Sequence, residues 1–309
     1  MIIRHRIIVS CLLVFSFVAC ETTEKIHDFP LRPSQLVVNC FFSEGNIWEF
    51  QVSKSLSVLD NADLKYIDNA TIKLFRDDLL IETLVDQDPD GWYRTSSNLP
   101  EADHKYSIEV SSPDFEKVLL SEDIAPQEVP ISDVSIIIKD SSFQKWIDYE
   151  GREYYGGNVE GSFNILFSDP GGAENYYSLS VFYLDSVYDY EDPSEIQIQK
   201  RLLYISSDDS AIENDEDSYN QLLLRDVLFN GQDYQLKVDF NDWNSRKGRE
   251  YYVELTSLQR AGYFYTKSID DYSRAANDPF AEPVQIFCNI KNGYGIFSGF
   301  FTTVFGVSF

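Results

Sequence analysis

From Gln35 onward, apolar and polar residues alternate in short runs, the two-residue period of half-buried strands and not the 3.6-residue period of a helix. Runs rich in Val, Ile, Phe and Tyr fall near 35–43, 47–55, 70–76, 79–85, 91–96, 104–111 and 116–122. Turn chemistry separates them at Glu44-Gly45-Asn46, Asp77-Asp78, Pro89-Asp90-Gly91 and Pro100-Glu101-Ala102-Asp103. Ile72, Leu74, Ile81, Leu84 and Val85 can face inward while Lys73, Arg76 and Glu82 stay wet. Short strands at this spacing predict an immunoglobulin-like β-sandwich over 35–125.

Ala125-Pro126-Gln127-Glu128-Val129-Pro130 reads as a junction, after which 126–309 forms a larger, mainly β domain carrying one α-helix. Strands are expected at Val134–Ile138, Ser162–Phe167, Tyr176–Leu184, Ile196–Ile205, Tyr234–Phe240 and Tyr251–Leu255. Two more, Val284–Ile290 and Tyr294–Val304, are expected on either side of a tight turn at Lys291-Asn292-Gly293. The helix is placed near 257–276. Thr256 to Gln259 fits a capping box, Leu258, Tyr265, Ile269, Tyr272 and Ala276 recur at helical spacing, and Asn277 and Pro279 supply a stop. Ser206 to Ser218 reads as a solvated acidic loop. The expected picture is a sheet with one helix laid across it.

The pattern breaks at the start of the chain. Arg4, His5 and Arg6 precede an apolar run, Ile7 to Val18, that is too short for the roughly 20 residues of a spanning helix. A basic head, a short apolar middle and a small residue read as an export signal. With Phe17-Val18-Ala19-Cys20 at its end, the segment resembles a bacterial lipoprotein signal. The resemblance implies a signal peptide at 1–19, cleavage before Cys20, and acylation of Cys20. Residues 20–34 then form a lipidated tether, with Pro30 and Pro33 favouring extension to at most about 45 Å. Glu21 and Glu24 fit either a surface-export signal or a solvated linker.

Charge narrows the partners. The chain has 25 basic and 51 acidic residues, and losing residues 1–19 takes away Arg4 and Arg6 but no acid. Such a chain has no basic face for a nucleic-acid backbone and is repelled by anionic lipid, so membrane attachment falls to the acyl chains. Hydrophobic residues at 43% and aromatics at 15% exclude disorder for the bulk of it. Cys40 and Cys288 could bridge in an exported chain, but each sits in an apolar run, and buried free thiols are the preferred reading.

Candidate chemistry is sparse. His27 lies in the tether and His104 opens a strand, a poor supply for a nucleophilic triad or an imidazole zinc site. No phosphate-binding glycine pattern follows a strand. Glycoside hydrolysis needs two acids about 5–9 Å apart, and an acid-rich chain carries no information on that. The expectation is a non-enzymatic protein without cofactor. Asp86, Asp88 and Asp90 before Gly91 match the opening of a calcium loop, but Arg94 and Ser97 stand at its ninth and twelfth positions. A hairpin turn explains the same residues. Of Trp48, Trp92, Trp146 and Trp243, most are expected in the core. The exception is the stretch around Trp146, Tyr149, Tyr154 and Tyr155, where glycines and charges interleave, no strand alternation holds, and a ligand-binding surface is expected.

Several stretches together resemble one family, the Bacteroidota lipoproteins called domain of unknown function 4249. They are Gln35-Leu36-Val37-Val38-Asn39-Cys40, Asp169-Pro170 with Glu174-Asn175-Tyr176-Tyr177, Asp226-Val227-Leu228-Phe229-Asn230-Gly231, and Asn289-Ile290-Lys291-Asn292-Gly293-Tyr294-Gly295-Ile296-Phe297. The resemblance implies an outer-membrane lipoprotein, often encoded beside a TonB-dependent receptor, and no catalytic residues. Physically, Asn230-Gly231 and Asn292-Gly293 suit turns with positive φ. The combined expectation is a ligand-capture or accessory partner of such a receptor, facing the cell exterior and taking an unidentified extracellular ligand. The alternative is a structural or adhesive surface protein that binds extracellular polymers without a transporter. The aromatic stretch ending at Phe309 is also similar to the closing strand of an outer-membrane barrel, but the tether, acidic turns and helix favour a lipid-anchored body.

Overall fold

A computed structural model describes residues 33–57, 63–85, 91–147, 151, 153–188, 196–213, 220–276 and 280–308. The signal segment, Cys20 and the tether through residue 32, the calcium candidates Asp86, Asp88 and Asp90, and Tyr149 lie outside them. Residues 34–309 form one compact unit. It is mainly β, with strands β1 (Leu36–Phe42), β2 (Glu49–Lys54), β3 (Thr71–Arg76), β4 (Leu79–Val85), β5 (Trp92–Arg94), β6 (Lys105–Ser111) and β7 (Leu119–Ile124). There follow β8 (Ile131–Ile147), β9 (Glu153–Ser168), β10 (Tyr176–Tyr188), β11 (Ile196–Leu202), β12 (Ile205–Ser206), β13 (Leu222–Arg225), β14 (Asp233–Ser245) and β15 (Glu250–Leu258). The helix α1 (Arg260–Ala275) and the last strand β16 (Tyr294–Ser308) complete it.

β16 joins the two halves. Its first part pairs in parallel with β1, from Val37↔Tyr294 to Phe42↔Gly299, and its second part pairs antiparallel with β15, from Leu258↔Phe300 to Glu250↔Ser308. This makes one long sheet, β11-β10-β15-β16-β1-β2-β5, with β13 also paired to β10. Strand alternation then sets the layers. Phe297, Phe305 and Val307 share one face of β16, where Phe297 enters the core of Val38, Phe42, Trp48, Phe50, Ile72 and Ile108. Phe305 and Val307 pack on a second core that includes Phe163, Phe167, Leu179, Val238 and Val253. The sheet β4-β3-β6-β7 contributes Ile72 and Ile108 to the first core, and β12-β14-β9-β8 contributes Phe163 and Val238 to the second. Ala125 belongs to the first core and Val129 to the second, and the long sheet runs through both.

Ser298 and Phe300 face the other way, toward α1. There Tyr263 packs with Tyr176, Leu223 and Leu258, flanked by Phe264 and Phe300. Gly262 allows this approach, since a Cβ would stand 2.9 Å from Ser298 Oγ, which accepts the Gly262 N–H at 3.0 Å.

Three local expectations differ from the structure. The helix begins at Arg260 with Gln259 at its N-cap and no side-chain capping bond. Strand pairing overrides the capping box, because β15 runs through Leu258 and the Thr256 and Thr302 hydroxyls pair at 2.9 Å. Residues 283–290 form no strand. In place of a ladder, the Asn289 side chain donates to Phe297 O at 2.7 Å and accepts the Phe297 N–H at 3.0 Å. The stretch expected to lack strand order is a long hairpin, β8 paired with β9 out to Ile147↔Glu153. Register shifts between Ile131/Asp133 and Ile138/Asp140 break its period, and its outer part is exposed on both faces, so burial imposes no apolar alternation there.

Cys40 and Cys288 are free thiols, the first buried and the second half-buried. Burial pushes the Cys40 thiol well above its ordinary value.

Candidate functional site

An aromatic-walled recess lies on the outer face of the β12-β14-β9-β8 sheet. It measures about 620 Å³ and is bordered by Tyr204, Trp243, Glu160, Asp239, Asn241 and Lys139. Alternation along β14 explains the lining. Leu236, Val238, Phe240 and Asp242 are buried inward, so Asp239, Asn241 and Trp243 project outward. On β9, Val159, Phe163 and Ile165 are core, which turns Glu160 to the same outer face, opposite Asn241.

Trp243 is aimed by a bulge. The β9–β14 register shifts between Asp242 and Ser245, and Asp242 locks that bend from below. Its carboxylate accepts the Asn244 N–H at 3.2 Å, the Tyr251 hydroxyl at 2.9 Å and Arg249 at 3.1 Å. Asp242 and Arg249 are 3% and 6% exposed, and the guanidinium lies 3.7 Å from the Tyr183 ring centroid. Burial is the main cause that pushes the Tyr251 phenol up, so it stays a donor. On this fixed base the Trp243 side chain is 76% exposed. Tyr204, 59% exposed, stands between buried Leu203 and Ile205, with the Leu203 N–H held by Val181 O at 2.8 Å.

The polar edges of the recess are of two kinds. Asp239 is occupied, since Lys139 reaches it at 3.0 Å and Lys237 at 3.8 Å. Asn241 Oδ1 is buried with no hydrogen-bond partner among the described residues, and so is Asn158 Oδ1, two positions from Glu160 on the same strand. A buried unpaired acceptor costs about 1–3 kcal/mol.

The expected ligand surface is the hairpin arm itself. Trp146 lies opposite Tyr154, and Lys145 opposite Tyr155. Tyr155 is 57% exposed, with Lys145 Nζ 6.0 Å from its ring centroid. The arm leads into the recess, because Glu160 and Lys139 lie on the same two strands. Of the other tryptophans, Trp48 is fully buried and Trp92 half-buried. The outward parity of Trp243 was available from the strand pattern, whereas Tyr204 sits in a break between short strands where no period places it.

Elsewhere the motif residues build a structural knot. Asp169 accepts the Tyr177 hydroxyl and, at 2.7 Å, the Gly231 N–H. The Asn175 amide, oriented by its surroundings, lies 3.0 Å from Pro170 O, 2.9 Å from Ala173 O and 3.2 Å from Asp226 Oδ2. Burial raises the Asp226 carboxyl. Beside it, burial would raise Glu213, but bonds from Arg225, Lys267 and Tyr263 outweigh this and hold it low. Each group is committed within the fold. His104 is likewise engaged, its Nδ1 2.6 Å from Asp77 Oδ2 in an exposed turn. No group of three or more His, Cys, Asp or Glu suited to a metal occurs among the described residues. No helix among them is long and apolar enough to cross a membrane.

Among the described residues, fold and motif knot define a β protein with two main cores and a single packed α-helix. The profile of the family described as domain of unknown function (DUF4249) matches residues 21–304, and the chain belongs to that family. No curated protein matches the chain.

Proposed function

We propose that this is a non-enzymatic outer-membrane lipoprotein, displayed outside the cell, that captures an extracellular ligand for a TonB-dependent receptor. The observation that carries the capture role is the recess between Tyr204 and Trp243, which exposes two aromatic side chains on a rigid sheet face. Sites that recognise small ligands combine such apolar walls with a few convergent polar groups, within roughly 300–1,000 Å³. Attachment rests on Cys20 and its lipoprotein-like signal, and the receptor on what the family resemblance implies. Tethering through Cys20 confines the recess to the receptor's plane and raises its effective concentration without a tight interface.

Purification of the native protein from detergent-solubilised membranes, followed by mass spectrometry, tests the partnership. A TonB-dependent receptor is expected to co-elute. Recovery without a receptor, bound instead to extracellular polymer, would favour an adhesive surface protein.

A further inference from the structure

We infer that the recess between Tyr204 and Trp243 binds a neutral carbohydrate, an inference that rests on the capture role proposed above. Three observations select this chemistry. The first is the wall. Trp243 and Tyr204 present aromatic surface to solvent from a fixed backbone, and no ring contact with another described side chain occupies either. The apolar C–H face of a pyranose covers such a ring while its hydroxyls point sideways.

The second is the donor–acceptor balance. Asn241 and Glu160 line the recess, and the Glu160 carboxylate has no ion pair among the described residues. A ligand rich in hydroxyl donors satisfies that set. Asp239 is already neutralised by Lys139 and Lys237.

The third is charge. A net −26 over the chain repels an anionic polymer. An extended peptide is disfavoured on separate grounds. Strand addition needs free backbone groups at a sheet edge, but the floor of the recess is backbone already paired, Ser162↔Asp239 and Glu160↔Asn241.

The test uses the full-length protein in detergent, titrated by calorimetry with maltoheptaose, cellohexaose, xylohexaose and chitohexaose, with oligogalacturonate and a neutral Gly/Ser hexapeptide alongside. At least one neutral oligosaccharide is expected to bind. Trp243→Ala and Tyr204→Ala are each expected to weaken it by about tenfold or more, with Trp243→Phe recovering part of the loss. Both side chains are exposed, so melting temperature is expected to hold and separates lost binding from lost fold. No binding by any of the four at millimolar concentration, binding untouched by both substitutions, or preference for the acid or the peptide would overturn the inference. The capture reading stands or falls separately. A receptor that co-elutes from a protein blind to sugar sinks only the ligand class, whereas sugar binding without a receptor sinks only the partnership.

Discussion

At Asp123 a single carboxyl ties three elements together. Its Oδ2 accepts the Ser298 hydroxyl at 2.7 Å and the Gly299 N–H at 3.4 Å, and Ser298 in turn receives the Gly262 N–H of the helix. Burial is the main cause that raises this group from 3.8 to about 6, against the pull of those bonds. The folded state therefore binds the proton more tightly than the unfolded chain. The stabilisation from that proton is complete below the ordinary carboxyl range and is lost as pH rises through about 6. Asp123→Asn removes the titration while keeping an acceptor for Ser298. Thermal melts followed by circular dichroism from about pH 4 to about pH 7 are expected to show the variant gaining relative to wild type as pH rises. Parallel curves would mean that Asp123 does not titrate in this way.

Among the elements, β16 bears the heaviest constraint, because it changes neighbours midway along its length. Gly295, at φ +116°, sits where a Cβ would fall 2.0 Å from Val38 O, inside the parallel pairing with β1. Gly295→Ala must open that pairing and strain the backbone, an expected loss of about 2–4 kcal/mol by chemical denaturation. An unchanged midpoint would show that the β1–β16 contact can yield. The sequence pattern placed most strands correctly, since burial on one face writes a period of two into runs such as Leu36–Phe42 and Thr71–Arg76. It failed where burial was not the cause. In the β8–β9 arm, bulges and two-sided exposure erased the period, and at residues 283–290 the Asn289 side chain replaced a ladder that the apolar residues suggested. The parallel β1–β16 pairing, between ends of the chain far apart in sequence, leaves no local signature.

For the whole molecule, the sequence carried the fold class but little of the recess. Trp243 could be assigned outward by parity with Leu236, Val238 and Phe240, yet its neighbours across the recess come from separate strands that only the tertiary fold unites. In the proposed function anchor and recess belong together, since capture for a membrane receptor would require the body to be held at the membrane through Cys20. Labelled palmitate and cell fractionation test that most directly, with wild type compared to Cys20→Ser. The account predicts label in the wild-type protein of the outer-membrane fraction, with the variant unlabelled and released from the membrane. An unlabelled wild type, or a variant that stays membrane-bound, would contradict it.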